Sequence, residues 1–203
     1  MVRIEKFIFS LIIGGVFPLF LLLLSVILWY SFFRFSVSIY VFLIPALVAS
    51  IVLYIRFVQL WKMRIYDLSR WFLIVVYILY NIGMFGLFMG FPAFNLFWGI
   101  VAGYYYGKRI KHLRLAPQVQ EIQKDRVALF TAFIMFIVCI ITGFIVVIDK
   151  YVGYDLQNML GLDVVVSRPT ISGITILGGV LLTVTQYFVT LITLNKIIPK
   201  VED

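Results

Sequence analysis

Histidine and cysteine occur once each in this chain of 203 residues, and acidic side chains only nine times. Each scarcity removes a class of chemistry. The lone cysteine, Cys139, cannot form an internal disulfide and says nothing about redox compartment. Inside an apolar run it reads as a small, soft residue in a helix seam. The lone histidine, His112, stands among arginines and cannot assemble a metal centre, which needs several His, Asp, Glu or Cys ligands converging. No metal and no cofactor is expected. The acids Glu5, Asp67, Glu121, Asp125, Asp149, Asp155, Asp163, Glu202 and Asp203 all fall outside the apolar runs or at their ends. Proton-driven pumps and many ion-coupled carriers hold a carboxylate or histidine at membrane depth, and this chain places none there.

Apolar residues are abundant instead. They make up 64% of the chain against 13% charged, with mean hydropathy +1.10, whereas soluble domains hold about 45–50% apolar and about 25% charged residues. Six apolar runs are expected to be membrane spans: Phe7 to Tyr30, Ile39 to Leu60, Trp71 to Met89, Ala93 to Tyr106 with Phe91, Pro92 and Gly107 at its margins, Val127 to Ile148, and Ser172 to Leu194. A hydrocarbon core of about 30 Å needs roughly 20 helical residues, and the runs are continuous and too long for barrel strands of about 10 alternating residues. The expected fold is all-α, a polytopic integral membrane protein forming one six-helix bundle over residues 1–203. The first run exceeds a typical h-region and lacks a small-x-small cleavage site, so it is not expected to be a cleaved signal peptide.

With the N-terminus inside, the inner segments hold Arg3, Lys6, Arg56, Lys62, Arg64, Arg70, Lys108, Arg109, Lys111, Arg114, Lys124, Arg126, Lys196 and Lys200, and the outer segments only Arg34, Lys150 and Arg168. A split of 14 against 3 predicts both termini in the cytoplasm. The net charge of +8 is therefore a topology signal, then a contact with anionic lipid. Nucleic-acid binding is not expected, since no folded basic domain carries it. The chain is expected in a plasma membrane, that of a prokaryote.

Polar residues inside the runs are ordered. Ser172, Thr175, Gly179, Thr183, Gln186, Thr190 and Thr193 recur every three or four positions along the last run. Such a stripe either packs against another helix or lines a hydrated cavity. Asn95, Gly99, Gly103 and Gly107 form a second stripe at steps of four, each step advancing about 40°. It predicts a close helix crossing after a turn at Gly90-Phe91-Pro92; a sharper, re-entrant break is the alternative. Asn81, with Tyr77 and Tyr80 nearby, is expected near the depth of Thr183 and Gln186. Lipid cannot satisfy these amides, so they must face protein, water or ligand. The candidate ligand-binding residues are Asn81, Asn95, Thr183 and Gln186; Gly99, Gly103, Gly107 and Gly179 are candidate packing positions. Pro18 and Pro45 should kink the first two spans.

Two connecting segments stand out. Lys108, Arg109, Lys111, His112 and Arg114 open the inner loop to Arg126, and such a cluster is attracted to acidic lipid by about 1 kcal/mol per cation; a cytoplasmic partner is the alternative. On the outer side, Asp149 to Thr170 carries Tyr151, Tyr154, Leu156, Met159 and Leu160, which predict a short interfacial helix. It would cap a cavity, ending at Arg168-Pro169.

No CxxC, HExxH or GxSxG occurs, and Asp67-Leu68-Ser69-Arg70 does not resemble the paired-aspartate signature of membrane phosphoalcohol transferases. An enzyme is not expected; a lipid-modifying enzyme using the outer acids is the one such reading left. Six spans in about 200 residues, without an ATPase or a coupling-ion carboxylate, are similar in size and topology to the substrate-capture subunits of energy-coupling-factor vitamin transporters. The likeness is one of outline: the first helix lacks an alanine-spaced partner face, and no functional residue is carried over. The expected function is a small-molecule binding or transport subunit, its outward-facing site between the third, fourth and sixth spans. The alternative is an assembly subunit that binds other membrane proteins, or a second copy of itself, through small-residue helix faces.

Overall fold

The computed structural model describes residues 2–33, 37–88, 90–161 and 163–198. Arg34, Met89, Lys200, Glu202 and Asp203 lie outside them, as do the side chains of Leu156, Met159 and Leu160. Every regular element among the described residues is helical. The chain divides into two compact units, Met1–Gly83 and Met84–Asp203.

In the first unit, α1 (Val2–Gly14) leads into α2 (Val16–Leu28) across a break at Gly14 and Gly15, and a π-helical turn, Trp29–Phe33, follows. The break lies four residues before Pro18, whose missing N–H leaves the Gly14 carbonyl without its helical donor. The Tyr80 hydroxyl fills the notch, donating to the Ile12 carbonyl. A Cβ on Gly15 would stand 2.5 Å from that hydroxyl. By contrast, α3 (Tyr40–Trp61) runs unbroken through Pro45. Rings fill the space between these helices. Phe57 lies 5.2 Å from Phe17, 5.9 Å from Phe72 and 6.3 Å from Trp61 between centroids. At one end, Tyr66 in a 3-10 turn (Ile65–Asp67) donates to Glu5 Oε1 at 2.7 Å, and Lys6 Nζ reaches the Met63 carbonyl at 3.3 Å. Ser69 Oγ then accepts from the Phe72 N–H at 3.2 Å, an N-cap for α4 (Arg70–Leu87).

The second unit begins within the last turn of α4. Gly90 has φ +81°, a left-handed conformation that glycine adopts without strain, and Pro92 opens a 3-10 turn (Pro92–Asn95) into α5 (Leu96–Leu113). After Arg114, Pro117 starts α6 (Pro117–Ile148), about 48 Å long at 1.5 Å per residue. A short α7 (Val152–Leu160) forms where the aromatic spacing predicts a short helix, and Gly161, at φ +63°, closes it. Ser167 caps α8 (Arg168–Ile197) through the Thr170 N–H, with Pro169 in its first turn. Both α5 and α6 pack on α8.

Among the described residues, five helical stretches are long and apolar enough to cross a membrane: Arg3–Phe33, Tyr40–Trp61, Arg70–Leu87, Pro117–Ile148 and Arg168–Ile197. They mark a multi-pass membrane protein. The expected fourth span is a helix, α5, but its last turns carry Lys108, Arg109 and Lys111, and its apolar part is short. The helices α6 and α8 also extend beyond the expected spans at their first ends, because Pro117 and Ser167-Arg168-Pro169 are helix starts that hydropathy does not register.

Candidate functional site

Helix α8 carries its small and polar residues on the face turned inward. Gln186 and Thr190 are fully buried, and Ser172, Thr175, Gly179, Thr183 and Thr193 half-buried, while Leu177, Ile176 and Ile174 are exposed. The glycines of α5 meet this face. A Cβ on Gly99 would lie 2.8 Å from Thr190 Oγ1 and would overlap the Gln186 amide. One on Gly103 would lie 2.9 Å from the Thr190 carbonyl, and one on Gly107 3.0 Å from Ile197. These backbones approach as closely as a small-residue seam permits.

Helix α6 completes the layer. Thr131, buried, shares a hydrogen bond with Thr190 at 2.9 Å between hydroxyl oxygens. Asn95, in the turn before α5, is also fully buried. Gln186, Asn95, Thr190 and Thr131 are thus polar residues enclosed by protein in one three-helix core, where lipid does not reach them. Thr183, one turn before Gln186, donates to the Gly179 carbonyl at 2.8 Å. Asn81 belongs to the first unit, where it is buried and donates to the Tyr77 carbonyl at 2.8 Å.

Around the connection of α5 to α6, the cations divide. Lys124 is fully buried on α6 and donates to Glu121 at 2.7 Å, although Glu121 itself is half exposed. Arg109 is buried, with its guanidinium 5.8 Å from the Tyr106 ring centre; Lys108 lies 5.2 Å from that of Tyr104. Lys111 and Arg114 are exposed.

A void in the second unit lies elsewhere. Beside the close contact of α6 and α8, where a Cβ on Gly179 would lie 3.3 Å from that of Cys139, is a chamber of about 660 Å³. Its floor is Cys139, Gly179 and Leu182, its walls are Thr142, Val146, Ile171, Ile174 and Thr175, and Phe91 and Pro92 edge one side. Val152 and Asp155 of α7 and Val166 cover it. Cys139 lies nine residues before Ile148, the end of α6, about 14 Å along the helix. Gly153 holds α7 in place: its missing Cβ lets the helix sit on the Val166 carbonyl, which a Cβ would meet at 2.7 Å. Gly178 also borders the chamber, and a Cβ there would meet nothing within 4 Å. A smaller cavity of about 320 Å³, with Asp149, Lys150 and Arg168 in its lining, shares Val146, Val152, Val166 and Ile171 with the first.

Neither Asn95, Thr183 nor Gln186 lines the chamber. Sequence reasoning did not single out Asp155, Gly178, Thr131 or Lys124. Thr131 and Thr142 carried a visible signal, hydroxyls in an otherwise aliphatic run, whereas Lys124 read as loop because it is charged. No group of His, Cys, Asp and Glu suited to a metal ion occurs among the described residues. No family model, curated protein or solved structure matches the chain, so its function rests on this geometry.

Proposed function

We propose that the chain is a membrane subunit that binds, and with partner subunits transports, a small molecule entering from the outer face, and that the chamber under α7 is its site. The observation that carries this is the chamber itself. Its volume lies within the range of about 300–1,000 Å³ typical of small-molecule sites, its lining is mainly apolar, and a short helix covers it. The Asn95, Gln186, Thr190 and Thr131 layer is then the packing that holds α5, α6 and α8 together beside the site. In this reading the chain crosses the membrane six times, α5 being the short crossing, with both termini in the cytoplasm as the charge split implies. Lys111 and Arg114 face anionic lipid at the inner surface.

The assembly-subunit alternative has less support, because the glycines of α5 that would receive a partner helix are already covered by α8.

Gly178→Leu tests the site. The side chain enters open space, and replacing a helical glycine stabilises by about 0.5–1 kcal/mol. Native mass spectrometry of gently extracted protein should show a bound small molecule in the wild type and none in the variant, with thermal stability kept. An equal adduct in both proteins, or none in either, would end the proposal. Orientation is checked separately by cysteines placed at Lys150 and Lys111 with Cys139 removed: external reagent should label only the first in intact cells.

A further inference from the structure

We infer that the chamber selects amphiphiles carrying one positive charge. This rests on the reading of the chamber as the binding site and adds the chemical class of its ligand.

The argument starts from what the lining offers a ligand. Among the described residues that form it, Asp155 is the only charged one. The other polar atoms are largely committed to the protein. Thr142 Oγ1 contacts the carbonyls of Val138, at 3.0 Å, and Gly90, at 3.3 Å, and Thr170 Oγ1 shares a hydrogen bond with Ser167 at 2.8 Å. Asp155 follows Val152 by three residues, so both lie on the face of α7 that covers the chamber. The neighbouring cations Lys150 and Arg168 line the adjoining cavity and not the chamber, and Val146, Val152, Val166 and Ile171 line both. The remaining acid of the segment, Asp149, accepts the Tyr151 N–H at 2.8 Å and lies in the adjoining cavity as well.

An apolar chamber with one carboxylate at its cover discriminates by charge. A lipophilic ammonium or phosphonium ion gains the carboxylate while its hydrocarbon fills the floor. An anion of the same shape meets a like charge, and a second positive charge would be left unpaired against aliphatic walls. Because Asp155 is exposed, the preference is moderate, that of a single solvated ion pair.

Tetraphenylphosphonium and tetraphenylborate, a cation and an anion of nearly the same shape, provide the probe. Their saturable binding is measured by equilibrium dialysis on full-length protein in phosphatidylcholine nanodiscs, with empty discs as baseline. The wild type should favour the phosphonium by about tenfold. Asp155→Asn should bring the two ions to near parity, and Gly178→Leu should abolish saturable binding of both. If the wild type binds both ions alike, or keeps its preference in Asp155→Asn, the charge selection is wrong, while loss of binding in Gly178→Leu would still uphold the chamber as the site. Absence of saturable binding, or binding unchanged in Gly178→Leu, overturns both.

Discussion

The two units hold their helices together by different means. In Met1–Gly83 the space between helices is filled by rings, with Phe57 at the centre of Phe17, Trp61 and Phe72. Its buried serine hydroxyls stay within their own helix: Ser10, Ser25 and Ser50 donate to the carbonyls of Phe7, Leu22 and Leu47 three residues back. In Met84–Asp203 glycines bring backbones together, and a hydroxyl pair, Thr131 and Thr190, bonds across the contact. Inside a bilayer, association between helices draws on packing and hydrogen bonds and not on escape from water. Rings supply contact area at a distance; small residues supply proximity and let polar groups meet. The first scheme accommodates changes of shape, and the second does not accommodate added volume. A chamber beside the second kind of seam is bordered by backbones that neighbouring residues hold firmly.

The contrast is open to direct tests by thermal unfolding in detergent. The largest effect is expected at the seam. Gly103→Leu drives a side chain into the Thr190 carbonyl and Thr193, atoms that cannot turn aside, and should destabilise by about 3 kcal/mol. The paired substitution in the ring cluster, Phe57→Leu, should cost about 1 kcal/mol, since neighbouring rings can shift. If the two costs came out equal, the distinction between the units would fail.

A buried cation near the start of α6 sharpens the comparison. Glu121→Gln leaves Lys124 fully buried without its carboxylate, and a loss of about 1–2 kcal/mol is expected, reduced from that of an enclosed pair because Glu121 is half exposed. Lys124→Met should cost less than Glu121→Gln, since it removes the charge as well as the pairing. The reverse order would mean that the ion pair is a net source of stability.

The smallest effects separate hydrogen bonds within a helix from those between helices. Thr131→Val removes the bond to Thr190 and should cost about 0.6–1 kcal/mol. Ser50→Ala removes only a contact to its own turn and should stay within about 0.5 kcal/mol.

Much of the architecture is legible in residue order. The recurrence of Ser172 through Thr193 on one face foretells which side of α8 is buried, and the four-residue steps from Asn95 to Gly107 foretell a face without side-chain bulk. Helix limits were less legible. Hydropathy places the fifth span at Val127, yet α6 starts at Pro117, because a helix emerging into water needs a start signal and not an apolar sequence. Pro18 and Pro45 look alike on paper, but only the first accompanies a break, where Gly14-Gly15 and the Tyr80 hydroxyl accommodate one.

By itself the sequence commits the chain to membrane-length helices, because runs so apolar cannot stay in water and a backbone in lipid must satisfy its own hydrogen bonds. It also assigns faces, because helical phase is a local property. Which faces meet was decided only in the tertiary structure. The seam of α5 closes on α8 with Gln186 and Thr190 inside it, and a chamber opens beside the contact of α6 and α8 at Cys139 and Gly179, with Asp155 of α7 in its lining. Whether a polar residue becomes packing or the wall of a chamber depends on the distance between two helix axes, and that distance is set by all the side chains between them at once.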